Sequence, residues 1–120
     1  MTAQPPILVL ADDGPSVFAT IEDVERRLEP IDVRNAEYRV FDAEGFPLEL
    51  STTTKIRAGL FGGEIEVTRV GSRNGPSQES EVTREILDWL TANYPDRHPE
   101  VAGPLPQLLA ELVDWFGYER

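Results

Sequence analysis

A chain of 120 residues is the commonest size for one domain, so residues 1–120 are read as a single unit and not as a multidomain enzyme. Twenty-two acidic side chains against 11 Lys and Arg leave a net charge of −11, a field that repels nucleic-acid phosphates and anionic membrane surfaces. The absence of cysteine excludes disulfides, thiolate nucleophiles, iron–sulfur clusters and cysteine zinc sites.

No apolar run approaches the roughly 20 residues of a bilayer span, and the start Met1-Thr2-Ala3-Gln4-Pro5-Pro6 lacks the basic segment of a signal peptide, so a cytoplasmic setting is expected. The charge is uneven. Eleven acids and four bases fall in residues 1–50, two acids and four bases in 51–75, and nine acids and three bases in 76–120.

The first element is Ile7-Leu8-Val9-Leu10-Ala11, a continuous apolar run that suits a strand buried on both faces, closed by a turn at Asp12-Asp13-Gly14-Pro15. Thr20 can cap a helix in which Ile21, Val24 and Leu28 recur at helical spacing until Pro30 stops it. Residues 36–42 and 46–50 then alternate around Ala43-Glu44-Gly45, a three-residue hairpin loop with Gly at the position needing positive φ. This pairing sets Asp42 opposite Phe46, Val40 opposite Leu48, Tyr38 opposite Leu50 and Arg39 opposite Glu49.

A second hairpin is expected around Gly59-Leu60-Phe61-Gly62, with Ile56 opposite Ile65, Thr54 opposite Val67, Lys55 opposite Glu66 and Arg57 opposite Glu64. Residues 71–77 read as an exposed loop. A helix over 78–92 follows, with Val82, Ile86, Trp89 and Leu90 inward and its stop marked by Asn93 and Pro95. A Pro-rich connector over 94–103 leads to a last helix over 106–116 that buries Leu105, Leu108, Leu109, Leu112 and Phe116 and ends at Gly117. The fold class is therefore α+β: an antiparallel sheet of four to five strands, in the order β-α-β-β-β-β-α-α, with helices packed on it.

Several groupings invite a catalytic reading, and each has a simpler one. His98, the single histidine, lies in a Pro-rich connector that positions a general base poorly. Glu64 and Glu66 share a strand face roughly 7 Å apart, but basic partners at Arg57 and Lys55 would keep both ionised. Asp12-Asp13-Gly14 could hold a divalent cation, yet it is first of all a turn with two exposed carboxylates. The glycines at 59, 62 and 63 lack the strand-to-helix context of a phosphate cradle. No catalytic residue, metal ligand or cofactor site is assigned.

The acids themselves remain. Glu22, Asp23, Glu25 and Glu29 decorate the first helix, and Glu79, Glu81, Glu85 and Asp88 decorate the helix over 78–92. A charge of −11 exceeds the roughly 2 to 8 that keeps a small domain soluble, and excess acid serves to meet a basic surface. The expected partner is a basic protein met by Glu79, Glu81, Glu85 and Asp88, with Asp12 and Asp13 next. The oligomeric state is left as monomer or homodimer.

Within residues 17–45, Val17-Phe18, Thr20-Ile21-Glu22-Asp23-Val24-Glu25, Leu28-Glu29-Pro30-Ile31-Asp32-Val33 and Tyr38-Arg39-Val40-Phe41-Asp42-Ala43-Glu44-Gly45 are cap, core and turn positions. In these the chain resembles small standalone actinobacterial proteins, some of them in the broad class of polymorphic-toxin immunity proteins. The resemblance spans about a quarter of the chain and implies a fold, with no catalytic or binding residue to carry over. Together with the acidity it makes an immunity-type inhibitor of a basic toxin or effector the leading expectation. An acidic chaperone or adaptor, with Trp115, Phe116 and Tyr118 at a dimer interface, and a carboxylate-based hydrolase with a metal near Asp12 and Asp13 are the alternatives.

Overall fold

The computed structural model describes residues 2–57, 59, 62–97 and 103–120. The elements are β1 (Ile7–Ala11), β2 (Gly14–Phe18), α1 (Ile21–Arg27), α2 (Pro30–Arg34), β3 (Arg39–Phe41), β4 (Leu48–Ile56), β5 (Glu64–Arg73), α3 (Glu79–Asn93) and α4 (Leu105–Phe116). The class is α+β with antiparallel pairing throughout its named strands.

β1 is the centre, flanked by β2 and β3. Leu8 and Leu10 point to one face, where they pack with Val17, Phe41 and the inward residues of α3 and α4. Ile7 and Val9 point to the other, with Phe18, Val24 and Leu28 of the α1 region and Leu48 and Val70 at the base of the β4–β5 ribbon. A strand covered on both faces needs apolar residues at every position, which is why 7–11 does not alternate.

Thr20 caps α1 by accepting a hydrogen bond from the Asp23 N–H at 3.1 Å. A side-chain hydrogen bond from Thr20, aided by one from Arg26, holds the Asp23 carboxyl below its usual range. Pro30 both stops α1 and starts α2, because its fixed φ excludes it from a helix interior and suits the first helical turn. Helical spacing before Pro30 marks only the stop.

The expected single sheet of four to five strands is corrected: the described strands form two sheets, β2-β1-β3 and β4-β5. The element order is β-β-α-α-β-β-β-α-α. Asp12 and Asp13 form the two-residue loop of a β1–β2 hairpin, with Ala11 opposite Gly14, so Gly14–Phe18 is a strand that propensity did not reveal. The turn at 43–45 closes as expected, the Asp42 N–H donating to the Phe46 carbonyl at 3.0 Å and Phe41 lying opposite Pro47. It stops there. β3 pairs with β1, placing Val40 opposite Val9 and Arg39 opposite Leu10.

The second ribbon forms in a different register from the expected one. Leu48 lies opposite Arg73, but a bulge shifts the pairing by one residue, so that Leu50 faces Val70, Thr54 faces Glu66, Lys55 faces Ile65 and Ile56 faces Glu64. Gly71 sits in the bulge, where an added Cβ would lie 3.2 Å from the Cβ of Glu49. The shift turns Thr68 into the body, where its hydroxyl donates to the Leu28 carbonyl at 2.7 Å. Pairing at the buried base thus outweighs apolar and ionic matches on the exposed arm. Leu60, Phe61 and His98 lie outside the described residues.

One buried ionic node joins the sheets. The Asp42 side chain is 0% exposed; Oδ1 accepts from the Glu44 and Phe46 N–H groups at 3.0 Å each, and Oδ2 from Gln4 N–H at 3.1 Å and Arg73 Nε at 2.8 Å. Arg73 also bonds Glu44 at 2.8 Å and stacks 3.9 Å above the Phe46 ring. Burial opposes its charge, but the bonds to Asp42 and Glu44 outweigh that and hold its pKa above the usual arginine value. The turn then docks on α3, with the Gln78 N–H donating to the Gly45 carbonyl at 2.8 Å.

Candidate functional site

α3 buries Val82, Ile86 and Leu90 and leaves Glu81, Glu85 and Asp88 on its exposed side. These three fall at i, i+4 and i+7, which is one stripe, with Arg84 between them. Glu79 does not belong to it. Its Oε1 accepts from the Leu105 N–H at 2.8 Å, supplying the cap that Pro104, at the N-cap of α4, has no side-chain group to provide. As a partner contact Glu79 is therefore already engaged, and the stripe is the part of that grouping that faces solvent.

Beside the stripe lies a cleft of about 350 Å³ lined by Asp12, Ala36, Glu37, Arg39, Glu85 and Trp89 among others. The β1–β2 turn delivers Asp12, the residues after α2 deliver Glu37, β3 delivers Arg39, and α3 delivers Glu85 and Trp89. Arg39 pairs with Glu85 at 2.5 Å rather than with the expected Glu49. Trp89 lies against Gly14, where any Cβ would overlap the indole ring. Ala36 enters the cleft wall at φ +56, a left-handed conformation that costs an alanine about 1–2 kcal/mol. Asp13 turns to a separate hollow lined by Arg27, Tyr38 and Glu119.

Of the six sequence-expected contacts, the fold thus brings Asp12 to Glu85, with Glu81 and Asp88 on the adjoining stripe, and places Glu79 and Asp13 elsewhere. Glu37, Arg39 and Trp89 were not among the expected contacts. Arg39 read as a cross-strand partner and Trp89 as core, and only the packing of α3 over β1 and β3 makes them neighbours.

Ion pairs consume acids away from this surface: Asp23 with Arg26, Glu25 with Arg69, Glu66 with Arg34, and Asp42 and Glu44 with Arg73. Glu66 is therefore held by Arg34 at 2.8 Å and not by Lys55. Among the described residues, Asp12, Glu81 and Asp88 form no ion pair. No group of three or more His, Asp or Glu side chains among the described residues is arranged to hold a metal ion.

At the cleft edge Glu37 shares a hydrogen bond with Asp32, and this bond, with the charges of Asp32 and Asp12, raises its carboxyl above the usual 4.5. The Tyr38 hydroxyl donates to Asp32 at 3.3 Å, and burial followed by the Asp32 charge pushes its own pKa up. A raised carboxyl favours the folded state while protonated, and that contribution is lost as pH rises through and beyond its folded value. Glu37→Gln, which keeps the protonated geometry at every pH, should melt at or above the wild-type temperature at pH 7, with the gap closing toward about pH 4. Thermal melts across that range check it; a wild type more stable than the variant at neutral pH would contradict the upward shift of Glu37.

Compared with family models, with curated proteins and with solved structures, the chain matches none.

Proposed function

We propose that this chain is a non-enzymatic acidic binding protein, of the immunity type, that blocks a basic toxin or effector by surface complementarity. The observation that supports it most is the position of Glu81 and Asp88, which form no ion pair among the described residues and lie on the α3 stripe beside the cleft that holds Asp12 and the Arg39–Glu85 pair. A surface of one sign steers a partner of the other, raising the association rate more than the final affinity. Trp89 adds an aromatic wall against which a lysine or arginine can rest.

Affinity capture with the native chain and with a Glu81→Lys, Asp88→Lys variant tests this reading. A basic protein should be retained by the native chain, released by salt and lost from the variant, with the variant's melting temperature within a few degrees of native. Its association rate should fall about tenfold or more between low and physiological ionic strength. Capture indifferent to salt and to both substitutions would count against it.

The chaperone or adaptor reading draws on a different surface. Tyr94, Phe116 and Tyr118 are 40%, 44% and 48% exposed, and Phe116, expected in the core, instead stacks 5.0 Å from Tyr94 and 6.1 Å from Trp89. Exposed aromatic clusters of this kind favour protein contacts. Strong binding of a hydrophobic dye, abolished by Phe116→Ser, would favour this reading over the inhibitor.

A further inference from the structure

The β4–β5 ribbon has two outer edges, and they are treated differently. On β5 the Val70 N–H donates to Glu25 Oε2 at 2.9 Å, so a side chain from α1 occupies the edge where another strand would bind. On β4 no hydrogen bond among the described residues reaches the backbone of residues 49–56 from the side away from β5. Residues 53–57 are exposed, and Ile56 is 85% exposed, the extreme among the large apolar side chains described. β3 and α2 pack against β4, so the part of it open to strand addition is the exposed stretch 53–57, which carries Ile56 and two threonines.

The β4 sequence also matches itself when reversed. We propose that β4 pairs antiparallel with β4 of a second copy of this chain about Thr53, joining two ribbons into a four-stranded sheet. In that register Glu49 lies opposite Arg57, Leu50 opposite Ile56, Ser51 opposite Lys55 and Thr52 opposite Thr54, each pair occurring twice by symmetry. Directly opposed residues share a face, so exposed Ile56 of each copy covers half-buried Leu50 of the other, on the side that holds buried Leu48. On the opposite face the two Glu49–Arg57 pairs are complementary in charge. Lys55, the kind of charge that normally blunts an edge, meets serine rather than another lysine.

The repulsion between two chains of −11 is least here, because residues 51–75 form the stretch of the sequence in which bases outnumber acids. Sliding the second copy to centre on Thr52 would set Ile56 against Leu48, which is already only 4% exposed, and Arg57 against Pro47. The Thr53-centred register is therefore the one whose groups are free to meet. This dimer leaves the acidic α3 stripe out of its contacts, so it can fail or succeed independently of the inhibitor reading.

The test uses the full chain. Sedimentation should give about twice the 13.4 kDa chain mass in the micromolar to hundred-micromolar range. Because the chain has no cysteine, Thr53→Cys supplies a lone thiol. Directly opposed antiparallel residues lie about 4.5–5.5 Å apart at Cα, within disulfide reach, so mild oxidation should link Thr53→Cys into a covalent dimer. Lys55→Cys, about 13 Å from its counterpart, should stay unlinked.

Glu49→Arg or Arg57→Glu alone should weaken the dimer by about tenfold, and the two together should return it to within about threefold of native. A chain that stays monomeric to about 500 µM overturns the proposal. So does failure of Thr53→Cys to cross-link, or a double charge swap no better than either single one.

Discussion

Replacing Asp42 by alanine is expected to cost about 3–5 kcal/mol of folding stability, the loss that follows when one member of a buried ion pair is removed and the other is left uncompensated. The Arg73 side chain is 7% exposed and would keep only the exposed Glu44, leaving its Nε without an acceptor. The N–H groups of Gln4, Glu44 and Phe46 would lose their acceptor at the same time. Three segments distant in sequence are tied at this carboxyl: the N-terminal stretch, the turn after β3 and the end of β5. Urea unfolding measures the loss. Asp42→Asn should fall between, since one oxygen can still accept from the turn while an amide N–H₂ faces the guanidinium. Adding Arg73→Met to Asp42→Ala should recover part of the loss, because no unpaired charge is then left buried. A change under about 1 kcal/mol for Asp42→Ala would refute the node's role.

Gly45→Ala is the second large effect, expected at about 2–4 kcal/mol from two separable causes. Gly45 has φ +83, where any side chain is strained, and an added Cβ would stand 2.7 Å from the Glu79 Cα and 2.8 Å from its N. Those atoms belong to the first turn of α3 and cannot yield without moving the helix. Gly117 provides the control. It has φ +79 and ψ 172 but nothing within 4 Å of an added Cβ, so Gly117→Ala should cost only the conformational part, about 1–3 kcal/mol. Gly45→Asn relieves the conformational strain and keeps the clash, and should remain close to Gly45→Ala. If Gly45→Ala costs under about 1 kcal/mol, the turn does not press on α3 as described.

The turn at 43–45 shows how much of the fold was legible. Its glycine, its length and its first cross-strand pair were all readable, because a tight turn is a local object whose φ requirement falls on one residue. What Asp42 does was not. In sequence it is one more polar residue at a strand end, and its burial depends on Gln4 and Arg73 arriving from far away in the chain. The candidate site divides in the same way. The Glu81, Glu85 and Asp88 stripe follows from helical spacing alone, but the joining of Asp12, Glu37, Arg39 and Trp89 into one cleft depends on α3 crossing β1 and β3. Glu79 looked like its neighbours on α3 until α4 came to rest with its first N–H groups against it.

By itself the sequence determined the α+β class, the buried central strand, the caps at Thr20 and Gly117, the inward faces of α3 and α4, and the surplus of negative charge. Those properties depend on periodicity, on single-residue backbone preferences and on composition, each of which acts within a few residues or over the whole chain at once. Only the tertiary structure decided which strands pair. β3 paired with β1 across the fold, and β4 took a bulged register in which Leu50, Thr68 and Val70 pack against the body. Pairing energy in a sheet resides in the partner strand and in what covers it, and neither is written in the strand's own residues.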